Sequence, residues 1–148
     1  MQLKGYGTER ICGNCLGMGK LIGESLTHSV IGAFYEVYNT LSYGFLESIY
    51  AGALARELAN RGHAVEREAQ APVLYKGAEV GLQRVDMLVD QLLVLELKSS
   101  ANLNKEAPRQ LLSYLKATRL EIGLLLHFGP TGARFFRVVS SNNRVQSA

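Results

Sequence analysis

Three charged residues lie where charge is costly. In the stretch "LLVLELKSS", Leu92 to Ser100, five of the six residues before Lys98 are aliphatic, which marks a strand buried on both faces. Glu96 and Lys98 nevertheless sit inside it, two residues apart and so on one face. Asp86 stands mid-strand in the preceding run, "RVDMLVD", between Val85 and Met87, where aspartate is disfavoured. Burying a charge costs several kcal/mol, comparable with the whole stability margin of a domain. Two carboxylates at one point resist joint ionisation unless a cation lies between them, and a hard ion such as Mg²⁺ takes oxygen ligands of this kind. An ammonium beside them orients a water or neutralises charge on a phosphoryl group. The chemistry implied is phosphodiester hydrolysis with Mg²⁺ or Mn²⁺ as cofactor.

Whether the three meet depends on hairpin register. A two-residue loop, Asp90-Gln91, pairs Asp86 with Leu95 and turns Glu96 to the other face. A three-residue loop or a single bulge pairs Asp86 with Glu96. A shared site therefore requires the odd register.

The elements that must position these residues are legible in the periodicity. Leu26, Val30, Ile31, Phe34, Val37, Tyr38 and Leu41 fall at helical spacing, as do Leu46, Ile49, Tyr50, Ala53, Leu54 and Leu58, with Gly44 between them and Gly62 as a stop. After Gly62 the period shortens to two. "AVEREAQAPVLYKG" reads as a strand or bent strand pair, with Pro72 at an edge or bulge, followed by the two strands that carry Asp86, Glu96 and Lys98. A helix is expected from about Pro108 to Thr118, then a buried strand "EIGLLLHFG" and its hairpin partner "ARFFRVV". The order is helix, helix, three strands, helix, strand, strand. A meander followed by a parallel crossover gives a mixed sheet with helices on both faces, an α/β/α three-layer fold.

The 148 residues suffice for one domain. Residues 1–20 are glycine-rich and without period, and are expected to form a flexible extension before a domain of residues 21–148. No apolar run is long enough to span a bilayer, and residues 1–22 do not read as a signal peptide, so the expected location is cytoplasmic. A net charge of +3 permits nucleic-acid binding without arguing for it. Cys12 and Cys15 form one Cys-x-x-Cys with no second pair to complete a zinc site, and read as two reduced thiols. His28, His63 and His127 show no ligand spacing, and His127 in a buried strand reads as a satisfied core residue.

Asp86, nine intervening residues, then Glu96-Leu97-Lys98 resembles the Asp…Glu-x-Lys signature of the PD-(D/E)xK nuclease superfamily. Val85 stands where the superfamily name has proline. "GFLESIY", with Gly44, Glu47 and Tyr50, resembles the hallmark of the GxxExxY proteins, a bacterial and archaeal branch. "QLLSYLKAT", with Gln110 and Tyr114, resembles the Gln-x-x-x-Tyr element that follows the catalytic strand in some nuclease branches. The segment before Gln110 reads Ala-Pro-Arg, where relatives often carry His and Glu. The resemblance spans roughly Leu21 to Val139.

The resemblance implies a restriction-endonuclease-like core of helix, three strands, helix and strand. It implies a metal-dependent nuclease, DNA more than RNA, with Asp86 and Glu96 holding the metal and Lys98 catalytic. It places the helix of Glu47 across the active face of the sheet, where that acid binds a second metal or a metal-bound water. Tyr50, on the same helix face, belongs in the core with its hydroxyl anchored to the site. Gln110 and Tyr114, four apart on the crossover helix, share a face, and Gln110 near the helix N-terminus is placed to steady Lys98 or a phosphate. A nucleic-acid-binding or regulatory module without turnover would keep the same fold. With no appended DNA-binding domain expected, specificity is left to DNA shape, to a homodimer or to a partner protein.

Overall fold

The computed structural model describes residues 10–11 and 19–140, with side-chain surroundings from residue 23 onward. The elements run β1 (Arg10–Ile11), α1 (Gly19–Leu41), α2 (Glu47–Asn60), β2 (Val65–Tyr75), β3 (Ala78–Val89), β4 (Leu93–Ser99), α3 (Ala107–Thr118), β5 (Ile122–Gly129) and β6 (Gly132–Val139). From α1 onward this is the expected order. The strands form one mixed sheet in the order β1-β6-β5-β4-β3-β2. β2, β3 and β4 are an antiparallel meander, α3 carries the chain across to β5 parallel to β4, and β6 returns antiparallel.

One detail departs from the expected leader. Arg10 and Ile11 pair in parallel with Arg137 and Val138, inside the segment read as a loose extension. The free edge of β6 offers unpaired backbone groups, and even a two-residue strand satisfies some of them. Cys12 and Cys15 lie outside the described residues.

The apolar run of β4 is explained by its central place. Leu93, Leu95 and Leu97 project into a core built with α1 and α2, where they meet Phe34, Tyr50, Leu54, Leu58 and Phe128. Val94 projects into a second core with Leu111 and Leu115 of α3 and Leu125 of β5. Strand alternation thus divides β4 between two helix layers, and Glu96 takes the α3 side with Val94. Gly62, at φ +88, ends α2, where its N–H reaches Ala59 C=O (3.0 Å) and the N–H of His63 reaches Leu58 C=O (3.0 Å). β2 is a single edge strand, with Pro72 opposite Leu82 and a bulge between Val73 and Leu74.

Candidate active site

The β3–β4 loop decides the geometry. Val89 pairs with Leu93, Leu88 with Val94 and Met87 with Leu95, so the loop holds three residues, Asp90, Gln91 and Leu92. Asp90 and Gln91 both adopt left-handed backbone, at φ 51 and 56. Asp90 is tied from every side: its N–H reaches Ala64 C=O (2.8 Å), its Oδ1 accepts the Ala64 N–H (2.8 Å), and its Oδ2 meets His63 Nδ1 (2.7 Å). His63 Nε2 meets Ser29 Oγ of α1 at 2.7 Å in turn. This chain of bonds fixes the odd register, which brings Asp86 opposite Glu96.

At Asp86 the strands part. The β3–β4 ladder ends at Met87–Leu95, and from there to Ala78 β3 pairs with β2 alone. Asp86 Oδ2 accepts the Leu97 N–H at 2.8 Å, so a side chain supplies the acceptor that the departing strand no longer offers. On the other flank Glu68 turns left-handed, at φ 53, between the Arg67–Met87 and Ala69–Val85 pairs. The sheet opens at Asp86.

Glu96 is 3% exposed. Its Oε1 lies 3.0 Å from Lys98 Nζ, while its Oε2 is buried and has no hydrogen-bond partner among the described residues. Burial, then the negative charge of Asp86, push the Glu96 carboxyl from 4.5 up to about 7, against the pull of Lys98. Asp86 is also raised, by burial first, with Glu47 adding to it and the Leu97 N–H and Lys98 opposing. The two carboxyl groups are close enough to share a hydrogen bond, which exists only while one of them holds a proton. Burial works to strip the proton from Lys98, but Glu96, Glu47 and Asp86 outweigh it, and the ammonium is held charged above its ordinary range.

A cleft of about 290 Å³ opens beside Lys98, lined also by Glu47, Ser100, Asn102, Asn104 and Gln110. Gln110 Nε2 donates to the Tyr114 hydroxyl at 2.8 Å. Burial raises the Tyr114 hydroxyl and the nearby carboxylates of Glu96 and Asp86 raise it further, which places this tyrosine against the site. The structure thus brings together Asp86, Glu96, Lys98, Gln110 and Tyr114 on the α3 side of the sheet.

Glu47 arrives by another route than expected. α2 does not cross the face that carries Glu96 and Lys98: its buried residues Tyr50, Ala51, Leu54 and Leu58 pack on the opposite face. Glu47, the first residue of α2, instead meets the C-terminal end of β4, where its Oε1 accepts the Ser99 N–H at 3.2 Å. It lines the cleft with Lys98, and its charge is felt at Asp86 and Lys98. Among the described residues no group of three His, Cys, Asp or Glu side chains is assembled to hold a metal ion. Asp86 and Glu96 alone fit a divalent ion that keeps most of its waters, and the unpartnered buried Oε2 of Glu96 is the oxygen such an ion would satisfy.

Tyr50 is fully buried and stacks on Phe128, ring centroids 4.1 Å apart. Its hydroxyl donates to Ser42 C=O and accepts the Phe45 N–H at 3.3 Å. It therefore anchors the α1–α2 loop, which in turn receives Ser99 Oγ on Phe45 C=O at 2.8 Å. His127 is a satisfied core residue, with Nε2 donating to Ser100 C=O at 2.9 Å. The sequence reading missed Asn102 and Asn104, which sit in a loop without periodicity. It also missed Asp90 as the register lock, although an aspartate at a hairpin corner is a readable turn signal.

No curated protein matches the chain. Among solved structures, that of SSO0001 superposes with a TM-score of 0.52 at 18% identity, covering 82% of this chain and 61% of the other, which is a likeness of fold. The chain thus spans less than two thirds of that protein's length. No helix among the described residues is long and apolar enough to cross a membrane. The family model for the PD-(D/E)XK nuclease superfamily matches residues 24–138, from within α1 to within β6 and across every site residue above, and the chain belongs to that superfamily.

Proposed function

We propose that the protein is a divalent-metal-dependent nuclease, acting on DNA in preference to RNA, and that it represents the GxxExxY branch of the superfamily through Gly44, Glu47 and Tyr50. The observation that carries this reading is the buried, unpartnered Oε2 of Glu96 beside Asp86. A stability-driven sequence would place a leucine there, as it does on either side.

In this reading Asp86 and Glu96 hold Mg²⁺ or Mn²⁺, which when bound supplies Lewis-acid polarisation of the phosphate and a more acidic water. Lys98 stays protonated and reaches the cleft, where it orients the attacking water and offsets the charge that grows on the phosphorus oxygens. Gln110, in the first turn of α3, presents an amide toward the same space, with the backbone N–H groups of the helix start favouring an anion. Glu47 is tied to the strand end and positions Ser99, with a carboxylate still facing the cleft.

The test is incubation of the purified chain with linear, nicked, flapped and single-stranded DNA and with RNA, in Mg²⁺, Mn²⁺ or EDTA. Metal-dependent product on any of the DNA substrates, with less on RNA, supports the reading, and product on RNA alone overturns the DNA preference. Binding without product in either metal leaves a non-catalytic nucleic-acid module in its place.

A further inference from the structure

The α1–α2 loop carries an unusual surface. Tyr43, Phe45, Leu46 and Ile49 are 41%, 43%, 72% and 45% exposed, four large apolar side chains within seven residues. In sequence they flank Glu47, which lines the cleft. A free loop would fold such groups inward, yet this one is pinned outward. Tyr50 holds Ser42 C=O and the Phe45 N–H, Ser99 Oγ holds Phe45 C=O, and Phe45 leans edge-on against Tyr50 at 6.1 Å. Ser42 is left-handed at φ 60, and Gly44 at φ +123 adopts backbone that a side chain would resist. Exposure held rigidly at such cost marks a contact surface.

The cleft beside it is different. Asn102, Asn104 and Gln110 line it with amides and Lys98 with an ammonium, alongside the carboxylates of Glu47 and Glu106, while Lys105 and Arg109 are exposed in the same stretch of chain, Arg109 only loosely paired with Glu106 at 3.9 Å. The loop offers apolar and aromatic groups, and the cleft next to it offers amide donors and an ammonium. That division suits a strand whose bases and phosphates point to opposite sides, which an unpaired nucleic-acid strand can present and an intact duplex cannot. We propose that the exposed segment Tyr43–Ile49, the α1–α2 loop and the first turn of α2, is a stacking platform for unpaired bases, and that the substrate enters the cleft as a single strand, a flap or a frayed end. The inference rests on the phosphodiesterase reading above for its chemistry, but the binding surface stands apart from it.

Binding is measured in EDTA with the full chain, using a single-stranded oligonucleotide carrying 2-aminopurine and a blunt duplex of the same sequence. The wild type should quench the 2-aminopurine by stacking and prefer the single strand. Tyr43→Ala with Phe45→Ala should cut the single-strand-to-duplex affinity ratio by about tenfold or more, since two bases stacked on rings together contribute at least that order. Phe45→Trp should keep it. Should the double variant fail to fold, Tyr43→Ser and Leu46→Gln, both at exposed positions, take its place and should each lower the ratio. Equal affinity for duplex and single strand, or a ratio unmoved by these substitutions, overturns the inference. So does a concentration-dependent dimer that Leu46→Gln dissolves, because the platform would then be covered by a second copy. Hydrolysis of bis(4-nitrophenyl) phosphate, which has no base to stack, reports the catalytic reading separately. Single-strand preference without diester hydrolysis supports the platform and sinks only the catalysis.

Discussion

Replacing Glu96 by glutamine separates a metal site from a structural ion pair. The Glu96 carboxyl titrates at about 7 in the fold against 4.5 ordinarily, which corresponds to roughly 3 kcal/mol of stability withheld once it ionises. Between those two values the folded chain holds more protons than the unfolded one, so metal-free stability falls as pH rises and levels off above about 7. Glutamine has nearly the same shape and never ionises. Glu96→Gln should therefore match the wild type near pH 4 and exceed it near pH 8 in EDTA. The 3.0 Å contact with Lys98 is already contained in that figure, since about 7 is reached against the pull of Lys98, and Asp86 and Glu47 remain as its counter-charges. The gain of about 3 kcal/mol raises the melting temperature by roughly 6–12 °C in a chain of this size. Mg²⁺ should stabilise the wild type by about 2.7 kcal/mol at a hundredfold excess over Kd and do little for the variant. Melting curves at several pH values, with EDTA or Mg²⁺, read all of this. If Glu96→Gln instead melts well below wild type at pH 8, with no Mg²⁺ response in either protein, Glu96 is simply the partner of Lys98. The loss would then reflect a stranded ammonium, at about 3–5 kcal/mol for full burial.

Two further substitutions test the frame around the site. Asp90→Ala removes the acceptor for the Ala64 N–H and His63, and should cost about 1–3 kcal/mol in denaturant unfolding while weakening Mg²⁺ binding at the distant Asp86–Glu96 pair. Burial opposes the ionised Asp90, but His63 and the Ala64 N–H hold its carboxyl below its ordinary 3.8. Its contribution is thus present above that value and lost as pH falls through the folded one, so wild type and Asp90→Ala should converge in strong acid. Tyr50→Phe keeps the stack on Phe128 but orphans Ser42 C=O and the Phe45 N–H; it should lose about 1–3 kcal/mol by urea unfolding, and Tyr114→Phe, at a half-buried site, clearly less.

The fold was legible because apolar period changes at Gly62 from helical to alternating, and again after Ser100. The odd strand was legible because Glu96 and Lys98 break an aliphatic run. The register was not: two-residue and three-residue loops both suit Asp90-Gln91, and the choice is made by His63, Ala64 and Ser29, which are distant in sequence. The face covered by the helix of Glu47 was misjudged for a similar reason, although Glu47 itself does line the cleft with Lys98. Its own side chain gives no sign of which face α2 covers; Tyr50, Leu54 and Leu58 decide that by packing with Leu95, Leu97 and Phe128. Pairing of Arg10–Ile11 was hidden because two residues carry no period. Leu46 and Ile49 were read with Tyr50, Leu54 and Leu58 as one apolar helix face, but α2 begins only at Glu47 and both stay exposed, with the loop before it set by the bonds of Tyr50 and Ser99.

The most direct measurement follows DNA cleavage and Mg²⁺-dependent melting together in the wild type, Lys98→Ala and Asp86→Ala. The wild type should cleave only with the metal and melt higher in its presence. Lys98→Ala should keep the Mg²⁺ shift in melting while cleaving about 10²- to 10⁴-fold more slowly, the usual contribution of a proton-transfer or charge-stabilising group. Asp86→Ala should lose the shift and the cleavage together. Cleavage that persists in EDTA, or Lys98→Ala cutting at the wild-type rate, would contradict the assignment of Asp86, Glu96 and Lys98 as the reaction centre.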